Sequence, residues 1–469
     1  MRSEDLSYFE DKEFLECLEQ YEKAIENGIQ PYMDADELTD IAEYYMIKNR
    51  EQDANRCILL ATTLHPDAID PQVFLSRQQL FHGNIDKARS IADKIIDQED
   101  REVKFLWAEI LIKEGKSKKA YENLQSYYQE ITDERDLFLY DSAGVFMDYE
   151  EWTFAEKFAL QLQEEYPDFD KTELLICDIQ VSCGKLTQAI PTLEEILEKD
   201  PFKKEAWELL AEAQCAKENY LEALDSIDYL LAIDEKNAQG QIIKANCLFH
   251  LERFQEAHVQ YSKYLEQNPT DGSILFYDAM VLSSMERYEE ANYRLVCALK
   301  YLDISQPEYT QSYMQMSYIL SKQGKYEEAL EALKASYDIN QRNYDSEFYF
   351  LKGHIELENE NHDKALLSFD KAEDLSEDKN GTKLMRSVEL IENEFYEEGL
   401  SILKNLLRSS LTEPEANCYP YMAYASYFMP GQPDYRNYLH IAAKSNPKLT
   451  EYLFAPIYPN VPIDKYNEI

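Results

Sequence analysis

The hydrophobic pattern of this chain repeats. An alanine returns behind an aromatic and one or two glutamates, as in Tyr288-Glu289-Glu290-Ala291 and Tyr326-Glu327-Glu328-Ala329. Aligning on it gives Ala54, Ala88, Ala120, Ala155, Ala189, Ala223, Ala257, Ala291, Ala329 and Ala365, then Gly399 and Tyr435, and the commonest step is 34 residues. A column twelve residues earlier, not used to set the register, holds Ala42, Ser76, Ala108, Ala143, Cys177, Ala211, Ala245, Ala279, Ser317, Gly353, Ser387 and Ala423. All are small. Two antiparallel helices cross tightly only where both contribute a short side chain, so the two columns predict a helix pair in each of twelve repeats. The expected fold is all-α, a stack of antiparallel helix pairs in which each pair buries its apolar side against the next.

Composition agrees with such a stack. Twelve glycines and 16 prolines are too few for the turns of an all-β protein of 469 residues. Charge narrows the partners: 47 basic against 91 acidic side chains leave a net of −44, which repels phosphate backbones and anionic lipid headgroups. Neither a nucleic-acid nor a membrane partner is expected, and no apolar run is long enough to span a bilayer. The acidic opening Met1–Asp5, leading into Phe9-Glu10-Asp11-Lys12-Glu13, has no apolar signal core. Eight cysteines without a Cys-x-x-Cys pair read as reduced thiols. Together these predict a cytoplasmic protein.

Glu205-Ala206-Trp207-Glu208-Leu209-Leu210-Ala211 and Tyr326-Glu327-Glu328-Ala329-Leu330, with Pro66, Pro167, Pro201, Pro269 and Pro447 near repeat ends, resemble the tetratricopeptide repeat family. The resemblance implies a right-handed α-solenoid superhelix over residues 35–448. Residues 1–34 would then hold a capping half repeat around Tyr21 and Ala24, and residues 449–469 a C-terminal cap and Pro-rich tail. The 38-residue step from Ala291 to Ala329 predicts a longer loop near Asp303–Pro307, and Ala455–Pro462, with its three prolines, is expected to be extended.

Catalytic signatures are missing from the sequence: there is no Gly-x-Gly-x-x-Gly, phosphate loop, His-Glu-x-x-His or Gly-x-Ser-x-Gly, and the seven histidines are scattered. No enzyme activity, cofactor or metal is expected. The resemblance instead implies a protein-binding scaffold or adaptor that holds a polypeptide segment in a groove lined by first helices. A regulatory or substrate-presenting subunit of an enzyme complex, or a chaperone-like assembly factor, are the alternatives.

Counting the small column as position 8, family members turn positions 2, 5, 9, 12 and 13 toward that groove. Position 9 reads Glu43, Arg77, Glu109, Gly144, Asp178, Glu212 in the first six repeats and Asn246, Met280, Tyr318, His354, Val388, Tyr424 in the last six. The expected site is therefore divided. An acidic half, with Asp148, Glu205 and Glu208, would attract basic residues. An apolar half would be formed by Phe249, Phe276, Met280, Met314, Tyr318, Phe350, His354, Val388, Ile391, Tyr424, Tyr427 and Phe428. The expected partner is a protein or peptide with apolar or aromatic anchors and a basic segment. The Lys/Asn clamp with which some family members grip acidic chaperone tails is broken here, since Ile242 and Tyr277 stand at two of its positions.

Overall fold

The computed structural model describes residues 8–9, 11–48, 50–338, 345–409, 417–429, 431, 434–459 and 461–468, in two compact units, Met1–Leu251 and Glu252–Ile469. Among the described residues the regular structure is helical throughout.

The first unit opens with a single helix, Lys12–Glu26. The first helices of repeats one to seven follow as Ala35–Ile47, Ile69–Phe81, Arg101–Lys113, Arg135–Asp148, Thr172–Ser182, Lys204–Ala216 and Ala238–His250. Between them run the second helices Glu51–Leu64, Ile85–Ala92, Ser117–Glu130, Trp152–Glu165, Leu186–Lys199 and Tyr220–Ile233. Each of the first six of these first helices also packs against the first helix of the next repeat, so within this unit they form a continuous layer. The leading helix closes the stack by burying Phe14, Leu18 and Tyr21 in a cluster with Leu38, Ile41 and Tyr45.

The second unit begins with Phe254–Gln267. It continues through the pairs Gly272–Ser284 with Tyr288–Tyr301, Pro307–Lys322 with Tyr326–Asp338, Ser346–Glu358 with His362–Leu375, Lys379–Glu392 with Tyr396–Ser409, and Cys418–Phe428 with Tyr435–Ser445. A last helix, Pro447–Phe454, and a 3-10 turn, Ile463–Glu468, follow.

The two sequence columns are the inside of these pairs. All twelve residues of the small column are buried, and so are the ten alanines and one glycine of the anchor column; Tyr435 is half-buried. In repeat two the columns touch directly, Ser76 Oγ donating to the Ala88 carbonyl at 2.9 Å. Gly353 shows how tight the crossing is, because a Cβ there would lie 2.6 Å from the Phe369 ring.

Turns inside the pairs repeat as closely as the cores. Five residues before the anchor column, Gly83, Gly115, Glu150, Gly184, Glu218, Glu252, Glu286, Gly324, Glu360 and Glu394 all have φ between 58° and 78°. The amide of the following residue then bonds back to the last turn of the first helix, as in Asn84 N–H to Gln79 O (2.8 Å) and Phe395 N–H to Leu390 O (2.7 Å). This is the left-handed cap that reverses the chain after a helix. Several first helices start on a side-chain cap, with Asp100, Asn237, Asp271, Asp345 and Asp378 accepting from amides two or three residues ahead.

Two local expectations are corrected. The four extra residues of the 38-residue step do not make a long loop: Pro307, suited to a helix start, nucleates a 16-residue first helix where 13 is usual in this unit, leaving only residues 302–306 between helices. Nor are residues 455–459 extended. The amides of Ala455 and Tyr458 bond to Glu451 O (2.7 Å) and Phe454 O (2.8 Å), and a 3-10 turn follows. Aromatic burial overrides the proline signal there: Tyr458 stacks on Phe454, Tyr466 is 2% exposed, and both join a cluster with Ala423 and Leu439 of the last repeat. The opening Met1–Asp5 lies outside the described residues.

Candidate functional site

The 34-residue step puts equivalent positions of neighbouring first helices within reach of one another, and polar side chains join them into ladders. In the first unit Arg77 Nη2 lies 2.8 Å from Glu109 and 3.1 Å from Glu102 of the next repeat, and Arg101 pairs with Asp141 and with Glu134 (3.2 Å). Gln239 donates to Glu212 at 3.2 Å.

Around the last of these rungs acidic charge is in excess. Burial, followed by Glu212, pushes the Glu208 carboxyl up to about 7; Glu205 and Asp178 act in the same sense, and Asn237 opposes them with a hydrogen bond. Glu212 is raised too, first by burial and also by Asp178. A second acidic group gathers at position 2, where burial and a hydrogen bond with Asp36 push Asp70 up to about 6, with Asp100 and Glu102 adding to the repulsion. Holding carboxylates together out of water raises the energy of their charged forms.

In the second unit polar pairs bridge the same face. His354 Nδ1 sits 2.8 Å from Glu389, Lys322 lies 2.7 Å from Glu358, and Tyr421 donates to Glu392 at 3.2 Å. The Tyr318 ring stacks on His354 with centroids 5.5 Å apart.

These contacts revise the apolar half of the expected site. Phe276, His354 and Ile391 are only 5%, 4% and 1% exposed; they are packed between helices and offer no contact area. Phe350 packs on Phe369, Met314 lies against the cluster of Leu333 and Ile355, and Tyr424 contacts Phe428 and Phe454. Phe249, Met280, Tyr318 and Val388 are half-buried. Tyr427 and Phe428 keep 41% of their surface each, with Phe428 stacked on Tyr396. Much of the predicted aromatic stripe is therefore packing within and between repeats, and the tail aromatics cover the last pair. The acidic half fares differently: Asp178, Glu205, Glu208 and Glu212 are brought together, while Glu109 is claimed by Arg77. Asp36 and Asp70 were missed by following position 9 alone; reading position 2 down the repeats would have found them.

Residues 180–238 and 315–380 match the family model described as tetratricopeptide repeat. No curated protein matches the chain. Among solved structures, a tetratricopeptide repeat protein from Parabacteroides merdae is 18% identical, covering 54% of this chain and 98% of its own with a TM-score of 0.42. Yeast Tom70 is 15% identical over 92% of this chain and 96% of its own, with a TM-score of 0.45.

Proposed function

Since the chain is a tetratricopeptide-repeat protein, we propose that it is a non-enzymatic cytoplasmic scaffold whose first-helix face in repeats five and six binds a basic polypeptide segment. The observation that carries this reading is the Glu208 carboxyl, held up to about 7 by burial, Glu212, Glu205 and Asp178. Ionising Glu208 and Glu212 there costs the free protein stability, and lysine or arginine side chains from a partner relieve that cost by placing cations beside the two carboxyls. The net charge of −44 draws the same partner from a distance. Exposed Tyr427 and Phe428 remain available as apolar contacts at the far end of the second unit. Eight free cysteines suit a reducing compartment.

The test is titration of a fluorescent Lys/Arg-rich peptide into the protein, with an acidic peptide of equal length as control. Binding of the basic peptide should weaken with added salt and fall at least tenfold in the Glu205→Gln/Glu208→Gln/Glu212→Gln protein. Equal affinity for both peptides, or an unchanged affinity in the triple variant, would overturn the reading.

A further inference from the structure

The first helices of repeats six and seven carry two cysteines that meet. Cys215, near the end of Lys204–Ala216, and Cys247, within Ala238–His250, have their Sγ atoms 3.1 Å apart, although 32 residues separate them in sequence. Cys247 is fully buried, whereas Cys215 keeps partial exposure at the helix end. We propose that Cys215 and Cys247 form a peroxide-responsive dithiol, a modification site at which a hydroperoxide converts the pair to a disulfide that bonds these two helices together.

The asymmetry of the pair assigns the roles. Cys215 is the side on which an oxidant can arrive, and its thiol is held below the ordinary range chiefly by its hydrogen bond with Cys247, while Cys247 is pushed up by that same contact and by burial. The Cys215 thiolate attacks one peroxide oxygen; the S–O bond forms as the O–O bond breaks, and the departing hydroxide takes up the proton that Cys215 released, leaving as water. Sulfur is oxidised to sulfenic acid and the peroxide is reduced. Cys247 then attacks the Cys215 sulfur, the S–S bond forms, the S–O bond breaks, and the thiol proton of Cys247 leaves with hydroxide as a second water. Two thiols and one hydrogen peroxide give a disulfide and two waters.

Closing the bond requires the sulfurs to approach from 3.1 Å to about 2.05 Å. Both residues sit on helices already joined across the same interface by the Gln239–Glu212 hydrogen bond of 3.2 Å, so the new bond asks for rotation of two side chains and a small helix shift.

The experiment exposes the reduced, full-length protein to hydrogen peroxide at a few equivalents, alkylates the residual thiols and maps peptides without reduction. The Cys215–Cys247 peptide pair should accumulate before any other disulfide and disappear on treatment with dithiothreitol. In Cys247→Ser, Cys215 should instead be trapped as sulfenic acid by a dimedone probe; Cys215→Ser should give neither product at Cys247. Circular dichroism confirms that each variant is folded. Recovery of Cys215 and Cys247 as alkylated thiols while other cysteines oxidise, or conversion of Cys215 to sulfinic acid with Cys247 still reduced in the wild-type protein, would overturn the proposal.

Discussion

Replacing Glu208 with glutamine should stabilise the protein at pH 8 and weaken its grip on a basic peptide. In the folded chain the carboxyl titrates at about 7 in place of its ordinary 4.5, the largest cause being burial and the next Glu212. A shift of about 2.5 units at 1.36 kcal/mol per unit sets a ceiling of about 3 kcal/mol on the cost of ionising this group inside the fold. Because the folded value lies above the unfolded one, the native state holds the proton more tightly. The contribution of Glu208 to stability is fully present below about pH 4.5 and is lost as pH rises through about 7. Glutamine keeps the size and the hydrogen-bonding capacity but cannot ionise. The variant should therefore gain on the order of 1–3 kcal/mol over wild type at pH 8 and less than about 1 kcal/mol at pH 5. Urea unfolding at both pH values, read alongside amide exchange in Lys204–Ala216 so that the local effect is seen even if repeats unfold separately, measures the difference. A gain equal at the two pH values, or none at pH 8, would refute the idea that buried carboxylates repel one another there.

Three further changes probe the scaffold. Gly184→Ala should cost about 1 kcal/mol through its φ of +78° alone, since an added Cβ meets nothing within 4 Å, and Glu286→Gly, at φ 58° in the equivalent turn, should return a similar amount; matched denaturant curves of the two variants test both signs. Asp278→Asn should destabilise by about 3 kcal/mol in the same assay, because Asp278 is fully buried, holds His258 Nδ1 at 2.6 Å and lies 2.9 Å from Arg294 Nε, and neutralising it strands the guanidinium. Gly353→Ala should destabilise by about 1–2 kcal/mol despite the better helix propensity of alanine, and Phe369→Leu in the same chain should cost less than it does alone, since it removes the ring that the new methyl strikes.

The helix pairs were legible because packing dictates them. A short side chain at Ser76, Gly353 or Ser387 is demanded by the helix crossing itself, and that demand recurs at the repeat spacing wherever a pair forms. The turn column was equally regular but hidden, because its left-handed φ is filled by glutamate at Glu150, Glu218, Glu252, Glu286, Glu360 and Glu394 as well as by glycine, and glutamate carries no turn signal. The candidate face was legible only in its charges. Position 9 correctly placed Asp178 and Glu212 on one surface, but helical periodicity cannot tell an accessible aromatic from one used by the neighbouring repeat. Tyr318 and His354 occupy the same position in consecutive repeats and satisfy each other by stacking; Ile391, two or three residues further along its own helix face, is buried by the next pair.

That distinction bears on how such a scaffold can carry function at all. Positions that hold the repeats together are constrained by contact, and aromatic side chains, which bring the most contact area, are drawn into that role. Carboxylates are drawn into it when a donor answers them, as Arg77 answers Glu109 and Lys322 answers Glu358. Around Glu208 the charged neighbours are other acids, and burial together with their repulsion makes its ionisation costly to the fold. The raised Glu208 carboxyl marks where ionisation costs the fold, and under the proposed function a partner's basic side chain would offset that cost.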